Sequence, residues 1–408
     1  MKKKMKIKIL NNNLFQLIGS GYFTQFLSLL LLPILVRLYE PSDFGKFAMF
    51  IAISSGMGSL ATLRYELAFF SYKNERVRDA IITLCLVFAF LMPLFFLFIV
   101  FLSLTNIAEL LVFFKNNLIY LYISSVLLSL QMIFLAWHNS IGNYKKISLS
   151  RIMQSLVVSC LPILIYPLQL ASKALIYAQI LSLLVSLFVL CRGISFNLAG
   201  GVRLFWVIKK FYKNSVIGVP HILFDVMGSI ALTSAISKNY GDEVLGYFNI
   251  AQRFKNIVST IGSSYGIMFN EKISKVKNNS YFIKINHLKS LIFPMILIYF
   301  GFQFLDSFII KLFGEKWTIA VEMAKILALQ FILVSIIAAF GAYFYLKNRQ
   351  TTAAFMGLAF VVVNFIAVVL PPDIFIATDS LGLSLAINMT ILTVPVLFIH
   401  IALILLKD

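Results

Sequence analysis

The stretch Val36-Arg37-Leu38-Tyr39-Glu40-Pro41-Ser42-Asp43-Phe44-Gly45-Lys46-Phe47 has an echo 201 residues later, Ser237-Lys238-Asn239-Tyr240-Gly241-Asp242-Glu243-Val244-Leu245-Gly246-Tyr247-Phe248. Arg37, Tyr39, Phe44, Gly45 and Phe47 align without a gap to Lys238, Tyr240, Leu245, Gly246 and Phe248. Each copy is a polar turn between two long apolar runs. Because the offset is half of the 408 residues, the chain reads as two halves, 1–200 and 201–408.

Outward from these turns the chain is 60% hydrophobic and 12% charged, with a mean hydropathy of +0.92. A helix needs ~20 apolar residues to cross ~30 Å of hydrocarbon. About a dozen runs are long enough by that measure. They lie near residues 14–38, 44–70, 80–104, 118–141, 152–170, 173–192, 214–237, 247–270, 288–312, 320–346, 353–371 and 381–406. Lipid leaves no backbone group to be satisfied by water, and the alternation of barrel strands is absent, so these runs are expected to be helices. The runs are expected to make an all-α polytopic membrane protein with about 12 transmembrane helices, six in each half. Six spans per half start both halves on the same face, a parallel repeat about an axis along the membrane normal.

The formal charge is +19, from 35 Lys and Arg against 16 Asp and Glu. Counted on alternate faces, 24 of the 35 fall on the side of the termini, 8 on the other, and Arg64, Arg253 and Lys255 inside spans. The positive-inside rule then puts both termini in the cytoplasm. The loops are short, so the cations meet anionic lipid headgroups rather than nucleic acid. Met1–Lys8 is basic but leads into a full-length span without a small-residue cleavage site, and is read as part of an uncleaved first helix. The three cysteines, Cys85, Cys160 and Cys191, lie in or at the ends of apolar segments and form neither a disulfide framework nor a metal spacing.

Three segments resemble a known family. Pro33–Gly45, leading on to Leu63-Arg64-Tyr65-Glu66-Leu67-Ala68, is similar to the start of the bacterial polysaccharide-biosynthesis flippases, the O-antigen and capsule repeat-unit translocases. Leu245–Phe248 through Arg253 resembles their eighth helix; Leu312–Trp317, then Ile326–Leu329, resembles the turn into their tenth. The family belongs to the multidrug/oligosaccharidyl-lipid/polysaccharide exporter superfamily. The resemblance implies two six-helix bundles, with the first, second, seventh and eighth helices lining a cavity. It also implies flipping of an undecaprenyl-pyrophosphate-linked oligosaccharide from the cytoplasmic to the periplasmic leaflet. Its expected partners are the lipid-linked oligosaccharide and membrane lipids, with other glycan-assembly proteins as further candidates.

Ionisable groups inside a span are costly and default to functional hypotheses. Asn249, Arg253, Asn256, Thr260 and Ser263 recur at i, i+4, i+7, i+11 and i+14 as one polar stripe. Ser55, Ser59, Thr62 and Glu66 make another in the second helix with Arg64 offset from it, and Asn13, Gln16, Ser20 and Thr24 a third in the first. In the seventh helix Gly218, His221, Asp225 and Gly228 share a fourth. The planar fork of Arg suits phosphate oxygens, while amides replace water around sugars. Arg64, Arg253, Asn249, Asn256 and Gln16 are therefore the candidate substrate contacts; for Arg64 an ion pair with a carboxylate or a snorkelling anchor is the competing reading. Asp225 and Glu66 are the candidates for coupling to H⁺ or Na⁺, since desolvation lets a carboxylate take up a proton, although Asp225 is equally suited to hold Arg64 or Arg253. His221 is a candidate relay beside Asp225, whereas His138, Asn139 and Ser140 read as structural. No catalytic residue, metal or other cofactor is expected. Two rival functions remain, a drug or cation antiporter of the same superfamily and a membrane glycan polymerase or ligase. Against the first stands the basic excess inside the spans; against the second, outer loops too short to carry catalytic groups.

Overall fold

The computed structural model describes every residue except 1, 72–73, 104–107, 196, 198–200, 275–279, 341–349, 373, 377, 379 and 406–408. The helices are α1 (Lys2–Leu38), α2 (Pro41–Ala61), α3 (Glu75–Ser103), α4 (Ala108–Ser140), α5 (Tyr144–Ile165) and α6 (Ser172–Cys191), then α7 (Gly201–Ser274), α8 (Ser280–Phe304), α9 (Asp306–Phe313), α10 (Thr318–Ala339), α11 (Gln350–Val369) and α12 (Leu381–Leu405). Among the described residues ten helices are long and apolar enough to cross a membrane, and Phe355–Val369 is a shorter apolar helix. One of the ten, Gly218–Gly266, stands for two spans. The 74 residues of α7 would run ~110 Å if straight, more than three times a ~30 Å hydrocarbon core. The helix breaks at Gly241, whose φ of 90° and ψ of 162° belong to a region that only glycine enters without strain. Each of the expected spans therefore has its helix.

Several boundaries move. The second span stops at Ala61 rather than near 70, the fifth begins at Tyr144 rather than 152, and the ninth ends at Phe304, with α9 a separate eight-residue helix. By packing, the residues group into two compact units, one of residues 1–35 and 49–230, the other of 36–48 and 231–408. The turn between α1 and α2 thus belongs to the second unit.

That turn is built by local rules. α1 ends with Arg37 in its last turn, α2 starts at Pro41, and Asp43 in the first turn of α2 accepts the Glu40 N–H at 3.3 Å. Proline at the first helical position and a side chain reaching back to the preceding N–H are what a helix start requires. Around it the second unit shows a reciprocal contact. A Cβ at Gly45 would lie 1.9 Å from the Asp242 carbonyl oxygen, and one at Gly246 1.8 Å from the Pro41 carbonyl oxygen. Pro41 and Asp242 are related by the same offset as the two glycines, so the contact has local two-fold symmetry. Trp317, fully buried, closes the crossing: its indole N–H donates to the Val36 carbonyl at 2.5 Å, and its ring stands edge-on to Phe44 at 5.3 Å and Tyr247 at 5.9 Å. Arg37 donates to the carbonyls of Lys311 and Leu312 at 2.9 and 2.8 Å, satisfying two acceptors left open at the C-terminal end of α9. Nearby, the Asp306 carboxyl is held below the usual carboxylate range by hydrogen bonds from Lys325 and from the Ser307 N–H.

A second motif appears once in each unit. In the first, Ser125 of α4 donates to the Ser54 carbonyl of α2 at 3.2 Å, and Gly58, one turn on, lies against the Ser125 carbonyl, which a Cβ would approach to 3.0 Å. In the second, Ser335 of α10 donates to the Val258 carbonyl of α7 at 2.7 Å, and Gly262, again one turn on, lies against the Ser335 carbonyl. In lipid, where apolar side chains gain nothing by leaving their solvent, such small-residue contacts and interhelical hydrogen bonds carry helix association.

Gly45→Ala and Gly246→Ala are each expected to lower the thermal midpoint of the purified protein by several degrees, from about 1–3 kcal/mol of overpacking against backbone that cannot yield. Gly357→Ala, with nothing within 4 Å, is expected to leave it unchanged; a scan of the three variants against wild type checks this.

Candidate functional site

The first unit holds a cavity of about 350 Å³ lined by Arg64, Glu66, Asn139, Tyr144 and Arg151, with apolar walls that include Met132 and Leu135. It exists because α2 stops early. Leu63 and Arg64 both take left-handed backbone, at φ 48° and 66°, and the chain then runs as a 3-10 helix over Tyr65–Phe70. Neither residue is a glycine or asparagine, so each left-handed position costs about 1–2 kcal/mol. The packing around Tyr65, Ala68 and Phe69, all buried in a core with α3 and α4, offsets that cost.

This geometry turns Glu66 inward. Its side chain is 4% exposed, its nearest cation is the Arg64 guanidinium at 3.7 Å, and neither carboxylate oxygen accepts a hydrogen bond. The Arg64 Nε–H and the Thr62 hydroxyl are likewise buried without a partner. At an effective dielectric near 20 such a pair attracts by about 4 kcal/mol, comparable to the several kcal/mol lost in desolvating it. The pair is nearly balanced rather than locked, and two guanidinium groups against one carboxylate leave the lining net positive. Gly218 lets α7 pass close to Arg64: a Cβ there would lie 2.9 Å from Arg64 Cγ.

Of the expected polar stripes, that of the second helix does not survive. Thr62 and Glu66 lie beyond the end of α2, while Ser55 and Ser59 donate to the carbonyls of Ile51 and Gly56 in their own helix, at 2.6 and 2.9 Å. The ion-pair reading of Arg64 is the geometry observed. On the 242–274 arm of α7 in the second unit, Asn249, Arg253 and Asn256 keep their spacing. Half-buried Arg253 lies 5.3 Å from the Phe44 ring centroid, a cation–π contact. Asn249 keeps its Oδ1 buried without a hydrogen-bond donor, and Asn256 is exposed. Asp225 is exposed on the 201–240 arm, in the first unit. Gln16 belongs to α1, but its side chain, like that of His221, lies outside the described residues.

His138 and Ser140 are structural, as expected. The His138 Nε2–H faces the Leu190 carbonyl at 2.8 Å, and Ser140 accepts from Arg78, whose guanidinium stacks 3.9 Å over Trp137. Asn139, by contrast, lines the cavity. Arg151 just precedes the fifth apolar run, near 152–170, and by sequence counts among the loop cations on the side of the termini. Because α5 begins at Tyr144, Arg151 lies two turns inside it, and the basic run Lys145, Lys146, Arg151 disguised that.

Apolar helices in two compact units, with charged and amide side chains set inside them, define a multi-span membrane protein. Solved structures agree on the fold. The lipid II flippase MurJ in an inward closed conformation is similar with a TM-score of 0.73, 14% identity, and coverage of 95% of this chain and 89% of that one. An inward-facing multidrug resistance MATE family transporter of the MOP superfamily gives 0.57 at 14% identity, covering 96% and 94%. The eukaryotic MATE transporter AtDTX14 gives 0.56 at 14%, covering 100% and 96%. No curated protein matches the chain in sequence. The family described as polysaccharide biosynthesis protein matches residues 34–322, and the chain belongs to that family.

Arg64→Ala would strand Glu66 in the interior and is expected to cost about 3 kcal/mol, the scale for breaking a buried pair. Adding Glu66→Gln is expected to recover part of that loss, because it removes the uncompensated charge. Chemical denaturation of the single and double variants measures both.

Proposed function

We propose that this protein is a flippase that moves undecaprenyl-pyrophosphate-linked oligosaccharide repeat units from the cytoplasmic to the periplasmic leaflet of a bacterial inner membrane by alternating access. The observation that carries this reading is a pair of arginines, Arg64 and Arg151, lining a cavity within membrane-spanning helices, in a chain of the polysaccharide biosynthesis family with a MurJ-like fold. A pyrophosphate is the anion for which planar guanidinium groups are suited. Arg253, Asn249, Asn256 and Gln16 are proposed as further headgroup and sugar contacts. The lopsided cation count supports cytoplasmic termini. The two halves, 1–200 and 201–408, are proposed to be copies of one six-helix module. The reciprocal glycine contact and the paired serine–glycine motifs support that duplication.

A phosphate arriving at Arg64 competes with Glu66 for its guanidinium. Glu66, left without its cation when Arg64 turns to a phosphate, is the first proposed group for coupling to H⁺ or Na⁺, which would link substrate occupancy to ion binding. Asp225 is the second proposed coupling group. A drug or cation antiporter would favour an acidic lining, whereas this cavity has two arginines against one glutamate. A polymerase or ligase would need nucleophile and base together, and among the described residues the cavity lining contains no histidine, cysteine or serine.

Deleting the gene is expected to stop surface glycan display while lipid-linked repeat units accumulate at the inner leaflet; undiminished display in a strain with no other flippase rules the reading out. Arg253→Ala at normal membrane levels is expected to lose at least about tenfold in transport, the loss of one charge-assisted phosphate contact. Asp225→Asn and Glu66→Gln, assayed in vesicles with and without imposed proton and sodium gradients, are expected to abolish gradient dependence; retained dependence in both removes the coupling assignment.

A further inference from the structure

The cavity of the first unit has a charged end and a neutral end. Leu135 and Asn139 share one face of α4, while Tyr144, Ile147 and Arg151 share one face of α5. Asn139 is in the last turn of α4 and Tyr144 is the first residue of α5, so both stand beside the turn that joins the two helices. Arg151 lies ~10 Å further along α5.

That turn is fastened on several sides. Gly142 takes left-handed backbone at φ 73°, and the N–H groups of Gly142 and Asn143 donate to the carbonyls of Asn139 and His138 at 3.1 and 2.9 Å. Three side chains then tie it to neighbours. His138 bonds the Leu190 carbonyl of α6, Ser140 accepts from Arg78 of α3 at 2.7 Å, and Lys146 donates to the Arg192 carbonyl beyond α6. Set among these, the Asn139 amide and the Tyr144 hydroxyl make no hydrogen bond among the described residues, and neither does the Arg151 guanidinium. Polar groups that the fold leaves unused, on a turn that the fold holds in place, are preorganised for a ligand.

Resting on the flippase reading above, we propose that Asn139 and Tyr144 bind the sugar attached directly to the pyrophosphate, and that this ring is the only part of the glycan this cavity recognises. An amide and a phenol each donate and accept, as sugar hydroxyls do. The order of groups along the cavity also matches a lipid-linked sugar. The turn carries Lys145 and Lys146 and lies on the basic side of the protein, which the positive-inside rule makes cytoplasmic. The arginine is therefore nearer the bilayer and the neutral pair nearer water, as the phosphates and the sugar of an amphiphile anchored by its lipid are. Size sets the limit to one ring. About 350 Å³ is at the low end of the ~300–1,000 Å³ of small-molecule pockets, room for a pyrophosphate and one sugar and not for an oligosaccharide.

Binding to the full-length protein in nanodiscs tests this with four probes: undecaprenol, undecaprenyl pyrophosphate, the repeat-unit lipid that accumulates when the gene is deleted, and its one-sugar precursor. The one-sugar lipid is expected to bind at least about twentyfold more tightly than undecaprenyl pyrophosphate, the sum of two neutral hydrogen-bonding side chains. The complete repeat unit is expected to bind within about threefold of the one-sugar form, because its further sugars make no contact here. Asn139→Ala and Tyr144→Phe are each expected to weaken the one-sugar lipid about fivefold and to leave undecaprenyl pyrophosphate within about twofold of wild type. A merely structural role would weaken both lipids together and so overturns the proposal. Equal binding of the bare and one-sugar lipids, a complete unit that binds far more tightly than the one-sugar form, or a sugar preference intact in both variants also overturns it, and leaves the flippase reading standing. Undecaprenyl pyrophosphate that binds no better than undecaprenol overturns both.

Discussion

Two helix starts meet so closely at Gly45 and Gly246 that each glycine rests on the other segment's first carbonyl, and the second unit is organised around that crossing. No side chain fits there. What the glycines give up in packing surface is supplied by Trp317, which fills the space beside them and donates to the backbone of α1's last turns. Arg37 then ties the same turn to the end of α9. Hydrocarbon offers apolar surfaces no reason to associate, so backbone proximity and hydrogen bonds between helices have to hold them. The serine–glycine contacts of α2 with α4 and of α7 with α10 apply the same solution once in each unit.

The first unit departs from this economy in one place. Two consecutive residues in left-handed backbone end α2 and bring a carboxylate and a guanidinium into the interior at 3.7 Å, with hydrogen-bonding capacity left unused on both. Strain and unsatisfied polar groups that coincide beside a cavity are costly, and such costs persist at sites that do work. A pair close to balance is also one that a stronger anion can open, which is what the proposed substrate would bring.

Much of this was legible in the amino acids. Hydropathy alone located the spans, because ~20 apolar residues have no other stable arrangement in a bilayer. The repeat at offset 201 located the two turns that prove to be in reciprocal contact, and it did so through Gly45 and Gly246 themselves. The 3.6-residue period located Asn249, Arg253 and Asn256 on one line of a helix that is in fact continuous there. The same period failed for Ser55, Ser59, Thr62 and Glu66, since it presumes a helix that stops at Ala61.

The sequence by itself determined that the chain is helical, where it crosses, which face is basic and that its halves echo one another, all consequences of local composition acting against a hydrocarbon solvent. Only the tertiary structure decided where α2 ends and what lines the cavity that results. Leu63 and Arg64 carry no local signal for left-handed backbone, and they adopt it because Tyr65, Ala68 and Phe69 are buried beyond them. Arg151 reads as one more loop cation until α5 is seen to begin at Tyr144, and Trp317 as one more aromatic until Val36 is seen to accept from it. These are long-range contacts, fixed by which helices pack together and not by the residues on either side.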